Sequence, residues 1–503
     1  MKAKIYISFI FLLTAFIGGY GQGMIIRPNG NVRINSGAKL IISGSSNNLT
    51  IGSDSTGTGS LMVDNISGSS VTVPTGHANV QRYLATGMWH YISSPISNGL
   101  TGIFLNDYLM TSDPSTSTGW APYIVPVTVP LVVMRGYAVW KPATNPGLET
   151  FTGDLNGNQY NNTYSINISR TATDPWAGWN LVGNPYPSSI DLTAAGVSWG
   201  QIEHSAWFWN GLAGNYEATV TMSGIWPYNG GLHSSIVPAT QGFYVHVNDA
   251  YSGSTSLGFD NSVRISTAQS FLKSVQNPLI VIKAAGNVNS YYDRTSVQFN
   301  SNATPGYDPG YDAYKLLGLT EAPQLYTMIG DTNVTINSLP FLTAQMIIPM
   351  GFSCGVPGNY TLSADSLDSF ASQISITLED LKLSKTQDLR TDPVYTFTYD
   401  TTDNSSRFLL HFNDPSFGIS NEKTGIKPIR IYSYEHSIYI RNTGTEPMNG
   451  QLFVFDPLGK QLYTFILIDS PLSRYDVNLN TGYYIAKVVT SNNLCSQKVF
   501  IRN

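Results

Sequence analysis

Turn-forming residues recur so often along this chain that helices of ordinary length have almost nowhere to form. Its 503 residues include 46 Gly and 27 Pro, and steps rich in Gly, Pro, Asn and Ser separate short apolar segments almost throughout. Pro cannot donate a backbone hydrogen bond and Gly tolerates the tight conformations of turns, so this punctuation predicts an all-β chain of many short strands. The 30 Tyr, 21 Phe and 9 Trp agree, because aromatic side chains suit pleated, half-buried surfaces. Only 12% of residues are charged against 42% hydrophobic. The apolar content is too high for a disordered chain. A net charge of −5 without a basic stripe excludes nucleic acid as a partner, since phosphates need neutralising.

Residues 1–22 read as a secretory signal peptide. Lys2 and Lys4 precede a mostly apolar stretch from Ile5 to Ile17, and small residues follow at Gly18, Gly19 and Gly21. The stretch is shorter than the roughly 20 residues a membrane span needs. Cleavage after Gly21 leaves Gln22 first. No later apolar run is long enough to span, so the mature chain is not expected to be an integral membrane protein. Cys354 and Cys495 are its two cysteines. They are expected to stay unbridged, with Cys354 packed as a small hydrophobe in an apolar run.

Four β segments follow. Residues 23–86 carry MIIR, NVRI, KLIIS, NLTIG, SLMVD and SVTV, each too short to stand alone. Their spacing predicts a short β-helix or β-roll that needs a cap from the next segment; a meander of hairpins is the alternative. Residues 87–250 contain a duplication. Trp89 and Trp179 are each followed by five residues and then a Pro, at Pro95 and Pro185, and each copy has a Gly-aromatic strand, starting at Gly136 and Gly242. Both Trp are expected to be buried at equivalent positions. Residues 251–417 read as a β-sandwich-like domain, with a short helix within residues 364–372 and a hairpin joining YTFTYD to RFLLHF. After a linker at 418–425, residues 426–503 hold seven strand-like segments, from IRIYS to SQKVFIR. That number, with a turn at Asp456-Pro457-Leu458-Gly459, fits an Ig-like β-sandwich expected to fold with few contacts to the rest.

In this tail, IRIYS…SIYIRN…FVFDPLGK…YDVNLNTGYYIAKVV…CSQKVFIRN resembles the C-terminal sorting domain of type IX secretion substrates of Gram-negative bacteria. Two departures are the first strand, which lacks the usual Pro-Asn turn, and a terminal basic pair reduced to Lys498 and Arg502. WNLVGNPYPSSIDL, VQRYL, YDAYKLLG and ISITLEDL resemble segments of large secreted proteins of the same pathway. The resemblance implies export through the Sec machinery to the periplasm, passage through the type IX outer-membrane translocon, and a secreted or cell-surface location. It nominates Gly459, Lys460, Gly482, Tyr483, Tyr484 and Lys498 as sorting-signal positions.

The sequence offers no catalytic signature. HExxH does not occur, GxSxG occurs at residues 196–200 and 351–355 without the helix pattern that a nucleophile elbow leads into, and His90 and His246 alternate with apolar neighbours as structural histidines do. No cofactor is expected. Asp293, Asp308 and Asp312 are the one candidate set for Ca²⁺, with solvated turn acids as the competing reading. Trp199, Trp207, Phe208, Trp209, Tyr216, Trp226 and Tyr228 form the most aromatic stretch, either a core or a glycan-stacking face. The chain thus reads as a non-enzymatic structural or adhesive surface protein. Surface glycan or host matrix are candidate partners, and a glycan-binding or glycan-degrading protein acting through residues 87–250 is the alternative.

Overall fold

A computed structural model describes residues 23–503 except 126, 145–146, 222–233, 267–277, 342–344, 414–428, 443–447, 457–459, 471, 491–493 and 503. The signal peptide, the linker, Trp226, Tyr228 and Gly459 lie outside the described residues. The architecture is all-β. Its helical turns among the described residues are three short 3₁₀ segments, one of them, Leu367–Ser369, at the site of the expected short helix. The chain divides into two compact units, Met1–Glu203 with Ser235–Phe271, and His204–Ser234 with Leu272–Asn503.

The first unit opens with stacked coils. Met24–Ile26 pairs in parallel with Leu49–Ile51, which pairs in parallel with Ala78–Tyr83. Asn31–Ile34 lies parallel to Ser60–Val63, and Lys39–Ile41 to Ser70–Thr72. Three parallel ladders repeated along the chain make a three-sided β-helix, not a meander, which pairs antiparallel. Ile26, Ile51 and Val80 stack at matching register and are buried. The open end is closed by Leu148–Gly153, antiparallel to Ala78–Tyr83 with Phe151 opposite Val80.

The duplication shows as identical register. Met88–Ile92 pairs with Tyr137–Lys141, placing Trp89 opposite Trp140. Trp179–Gly183 pairs with Gly242–His246, placing Trp179 opposite His246. In both halves the Trp faces the fifth residue of the Gly-aromatic strand, and the rings touch, at 5.6 Å and 4.7 Å between centroids. The halves also clasp reciprocally. Arg135 bridges Val182 while Gln241 bridges Ile92, so each residue before the leading Gly pairs with the third residue after the other half's Trp. The two Trp occupy equivalent positions as expected, but their burial is only partial. Both are half-buried, because each packs against its cross-strand partner near a strand start, Trp89 edge-on to Trp140 and Trp179 tilted against His246.

In the second unit the hairpin of Ser205–Asn210 with Asn215–Val220 is tied to later residues: Trp207 Nε1 donates to the Tyr314 carbonyl at 2.9 Å, and Asn215 to that of Pro323 at 3.0 Å. The strands from Leu279 to Asn413 form one eleven-stranded sheet, where two separate layers were expected. Its two edge strands, Lys385–Asp388 and Val394–Tyr399, approach through the Gln387 amide, which donates to the carbonyls of Asp392 and Val394. The sheet is thus rolled nearly closed. The expected hairpin is absent. Val394–Tyr399 pairs with Gly358–Asp365, and Phe408–Asn413 with Met346–Ser353 and Ser375–Asp380. The alternating Tyr395, Phe397 and Tyr399 face inward, and Phe397 meets Phe408 at 5.0 Å across the core. The two strands oppose each other through side chains instead of lying side by side.

All seven C-terminal strands form, from Ile429–Tyr434 to Leu494–Ile501. One sheet orders them first-second-fifth, the other fourth-third-sixth-seventh. This is a Greek-key, immunoglobulin-like sandwich with the fourth strand carried beside the third. Its core includes Ile431, Ile438, Ile440, Leu452, Val454, Val488 and Ile501.

Candidate functional site

The nominated sorting positions gather at one end of the four-stranded C-terminal sheet. Gly450–Phe455 ends there, with Phe455 paired to Gln461 on one side and Ile485 on the other. Gly482 begins the next strand and pairs with Ile501 at the end of the last. Lys460 lies in the connection between Gly450–Phe455 and Gln461–Ile466: its N–H donates to Asp456 Oδ1 at 2.8 Å, and its carbonyl accepts from the Asp456 N–H at 2.9 Å. Pro457, Leu458 and Gly459 fall outside the described residues.

Alternation along Gly482–Thr490 separates two faces. Ala486 and Val488 point into the sandwich, while Tyr483 and Ile485 point out. Tyr483 is 53% exposed and Phe500, directly opposite, 43%. Their rings meet edge-on at 5.0 Å, and the Lys498 ammonium sits 3.9 Å above the Tyr483 ring. A cation held over an aromatic face is attracted by the ring quadrupole, so Lys498 has a defined position despite its exposure. Tyr484 instead turns its hydroxyl to the Asn480 carbonyl at 2.9 Å, fixing the approach to the strand. Together these place a cation and two exposed aromatic rings on one outer face of the sheet.

The other candidate groups are occupied structurally. Asp293 accepts from Lys315 at 2.7 Å and from the Leu325 N–H. Asp308 accepts from Thr304, while Asp312 accepts from the backbone N–H groups of Asp308 and Ser338. The three carboxylates are therefore not gathered on one centre, and among the described residues no three His, Cys, Asp or Glu groups are placed to hold a metal. Trp199, Trp207 and Phe208 are buried, and Trp209 packs on Tyr216 at 5.0 Å, so this stretch is mainly core, not an exposed stacking face. His90 bonds the Ala85 carbonyl at 2.7 Å, and His246 lies 3.2 Å from the buried Glu203. Cys354 is buried, with the Tyr360 hydroxyl donating to its sulfur, and is not joined to Cys495.

One cluster escaped the sequence reading. Lys141, Asp107 and Glu149 meet in the interior of the first unit, with Lys141 Nζ 3.0 Å from Asp107 Oδ2 and also bonded to Glu149. The signal was a Lys at the third inward position of GYAVWK, where Tyr137 and Val139 occupy the first two.

This is an all-β chain with a stub of β-helix, an internally duplicated region and an immunoglobulin-like terminal sandwich. It belongs to the family described as Domain of unknown function (DUF8693), matched over residues 14–412. It is 24% identical over 362 residues to the Minor fimbrium subunit Mfa5 of Porphyromonas gingivalis, an alignment covering 65% of this chain and 28% of that protein. The match thus spans under a third of that relative's length. Among solved structures, the BSP domain of a biofilm associated protein aligns with 84% of this chain and 92% of its own at 9% identity and a TM-score of 0.18. Escherichia coli alpha-2-macroglobulin activated by porcine elastase aligns with 84% of this chain and 44% of its own, at 9% and 0.12. Both scores are too low to indicate a shared fold. Among the described residues no helix is long and apolar enough to cross a membrane.

Proposed function

We propose that this protein is a non-enzymatic structural or adhesive component of the bacterial cell surface, exported by the type IX route through its C-terminal sandwich. The observation that carries the reading is the gathering of Lys460, Gly482, Tyr483, Tyr484 and Lys498 at one end of one sheet, with Tyr483 and Lys498 on its outer face. Likeness to a fimbrium subunit supports the surface role. The family match ends at residue 412, before the sandwich begins, which supports treating the sandwich as an address carried by the chain. The reading involves no cofactor. Its partners are the Sec machinery and the outer-membrane translocon, then surface glycan or matrix.

The test is a Tyr483→Ala, Lys498→Ala double variant expressed in a strain with the type IX apparatus. Both side chains are exposed, so the sandwich is expected to fold. Periplasmic accumulation with loss of surface signal is the expected result. Normal surface display of this variant, or of a chain truncated at residue 417, would sink the proposal.

A further inference from the structure

Lys141 closes the strand Tyr137–Lys141, whose inward side chains are Tyr137, Val139 and Lys141. The strand Tyr108–Met110 runs alongside with Tyr108 opposite Trp140, which sets Asp107 beside Lys141. Both side chains are fully buried, with Nζ 3.0 Å from Oδ2. Glu149 arrives from Leu148–Gly153 in a different sheet and accepts a hydrogen bond from the same Nζ. Each of the three has a core residue two positions along on the same face: Leu109, Val139 and Phe151. Core side chains therefore flank the cluster, with Arg82 opposite Glu149 on the neighbouring strand.

As ions, one ammonium and two carboxylates leave the buried triad itself with an excess negative charge, a costly arrangement. Burial accordingly raises the Glu149 pKa above the ordinary carboxylate value, against the lowering effect of Lys141, so Glu149 is poised to carry a proton. For Lys141 to act as a nucleophile its proton must move away, and Asp107 Oδ2, 3.0 Å from Nζ, is placed to take it.

We propose that Lys141 and Asp107 are joined by an intramolecular isopeptide bond, with Glu149 as the acid that promotes its formation. The Nζ lone pair attacks Asp107 Cγ while the Glu149 carboxyl donates to the carbonyl oxygen. The tetrahedral intermediate then collapses. The Nζ–Cγ bond is kept, a Cγ–O bond breaks, and the hydroxyl leaves as water with a proton that Glu149 relays from Nζ. One water is lost, nothing is oxidised or reduced, and the product amide carries no charge. The bond staples two neighbouring strands across the whole connection between them, which suits a protein that must hold its shape outside the cell. It does not depend on the export reading.

The buried pair Lys315–Asp293, 2.7 Å apart, is the internal control. Among the described contacts no second carboxylate bonds Lys315, so no acid is in place to promote an amide. The chain should lose one water, not two.

The experiment is intact-mass measurement of the denatured full chain after leader removal, followed by fragmentation of its tryptic peptides. The expected mass is lower than that of the sequence by one water, with a branched peptide joining Lys141 to Asp107. Lys141→Met and Glu149→Gln should restore the unmodified mass. A wild-type mass equal to that of the sequence, without a branched peptide, would overturn the proposal. A branch to Glu149 would overturn the assignment of roles, as would undiminished bonding in Glu149→Gln. A succinimide at Asp107 also loses water but gives no branched peptide, so it counts against the bond. These readings come from the wild-type chain even if a variant fails to fold.

Discussion

His90 shows how burial sets the titration of a single side chain in this protein. It lies on Met88–Ile92 with Nε2 against the Ala85 carbonyl. Burial pushes its pKa below the usual value, opposed by that hydrogen bond and reinforced by the charge of Arg82. The folded state therefore keeps His90 neutral where the unfolded chain already binds a proton. Stability contributed by His90 is present above the unfolded pKa and is lost as pH falls through it toward the lower folded value. Denaturant midpoints compared between about pH 7.5 and about pH 5.5, on either side of an unperturbed histidine, should fall in the wild type and fall less in His90→Gln. An unchanged acid slope in that variant would assign the loss elsewhere. Sequence legibility at this scale followed chemistry: alternation could place Trp207 in the core, though it paired Trp207 with Trp209 where the structure buries Phe208 and leaves Trp209 half-buried, and Lys141 could not be paired. Its partners arrive from a loop end at Asp107 and from a different sheet at Glu149, and neither spacing carries a signal.

At the scale of elements, the duplicated region depends on two glycines. A Cβ on Gly136 would lie 2.5 Å from Leu181 Cγ and 2.6 Å from the Val182 carbonyl, and one on Gly242 would lie 2.9 Å from the Ile92 backbone. These are the two contact points of the reciprocal clasp, where backbone meets backbone and cannot yield. Gly136→Ala and Gly242→Ala should each destabilise the protein by about 1–3 kcal/mol, the usual cost of overpacking, as measured by chemical denaturation. A neutral effect at both would mean that the halves do not approach this closely. The duplication itself was legible because Trp and Gly are fixed by local geometry, and the register of one half predicts that of the other. The YTFTYD–RFLLHF hairpin was not legible in the same way. Alternation reports which face of a strand is buried, but not which strand lies beside it. Those two segments share a core, not a ladder.

At the scale of the molecule, the terminal sandwich contributes no strand to the preceding sheet among the described residues, yet side chains tie it to that sheet. Arg441 reaches from Ser437–Asn442 to Glu379 at 2.6 Å and to the Ser384 carbonyl, while Glu379 also bonds His411 at 2.8 Å. Tyr432 packs edge-on against His411, and the Tyr434 hydroxyl donates to Gly330. Arg441 and Glu379 are 7% and 4% exposed, so water does little to screen this pair. The tail was expected to make few contacts because its strand pattern is complete in itself, and nothing in that pattern marks one Arg among several as buried. Breaking such a pair from one side typically costs about 3–5 kcal/mol, since the remaining charge stays buried. Arg441→Met should therefore destabilise the second unit, read as a lower denaturant midpoint. Arg441→Met with Glu379→Gln should recover much of the loss, because no buried charge is then left alone. A double variant no more stable than the single one would show that Arg441 acts through packing and not through its charge. A single variant as stable as wild type would return the sandwich to the independent module that its sequence suggested.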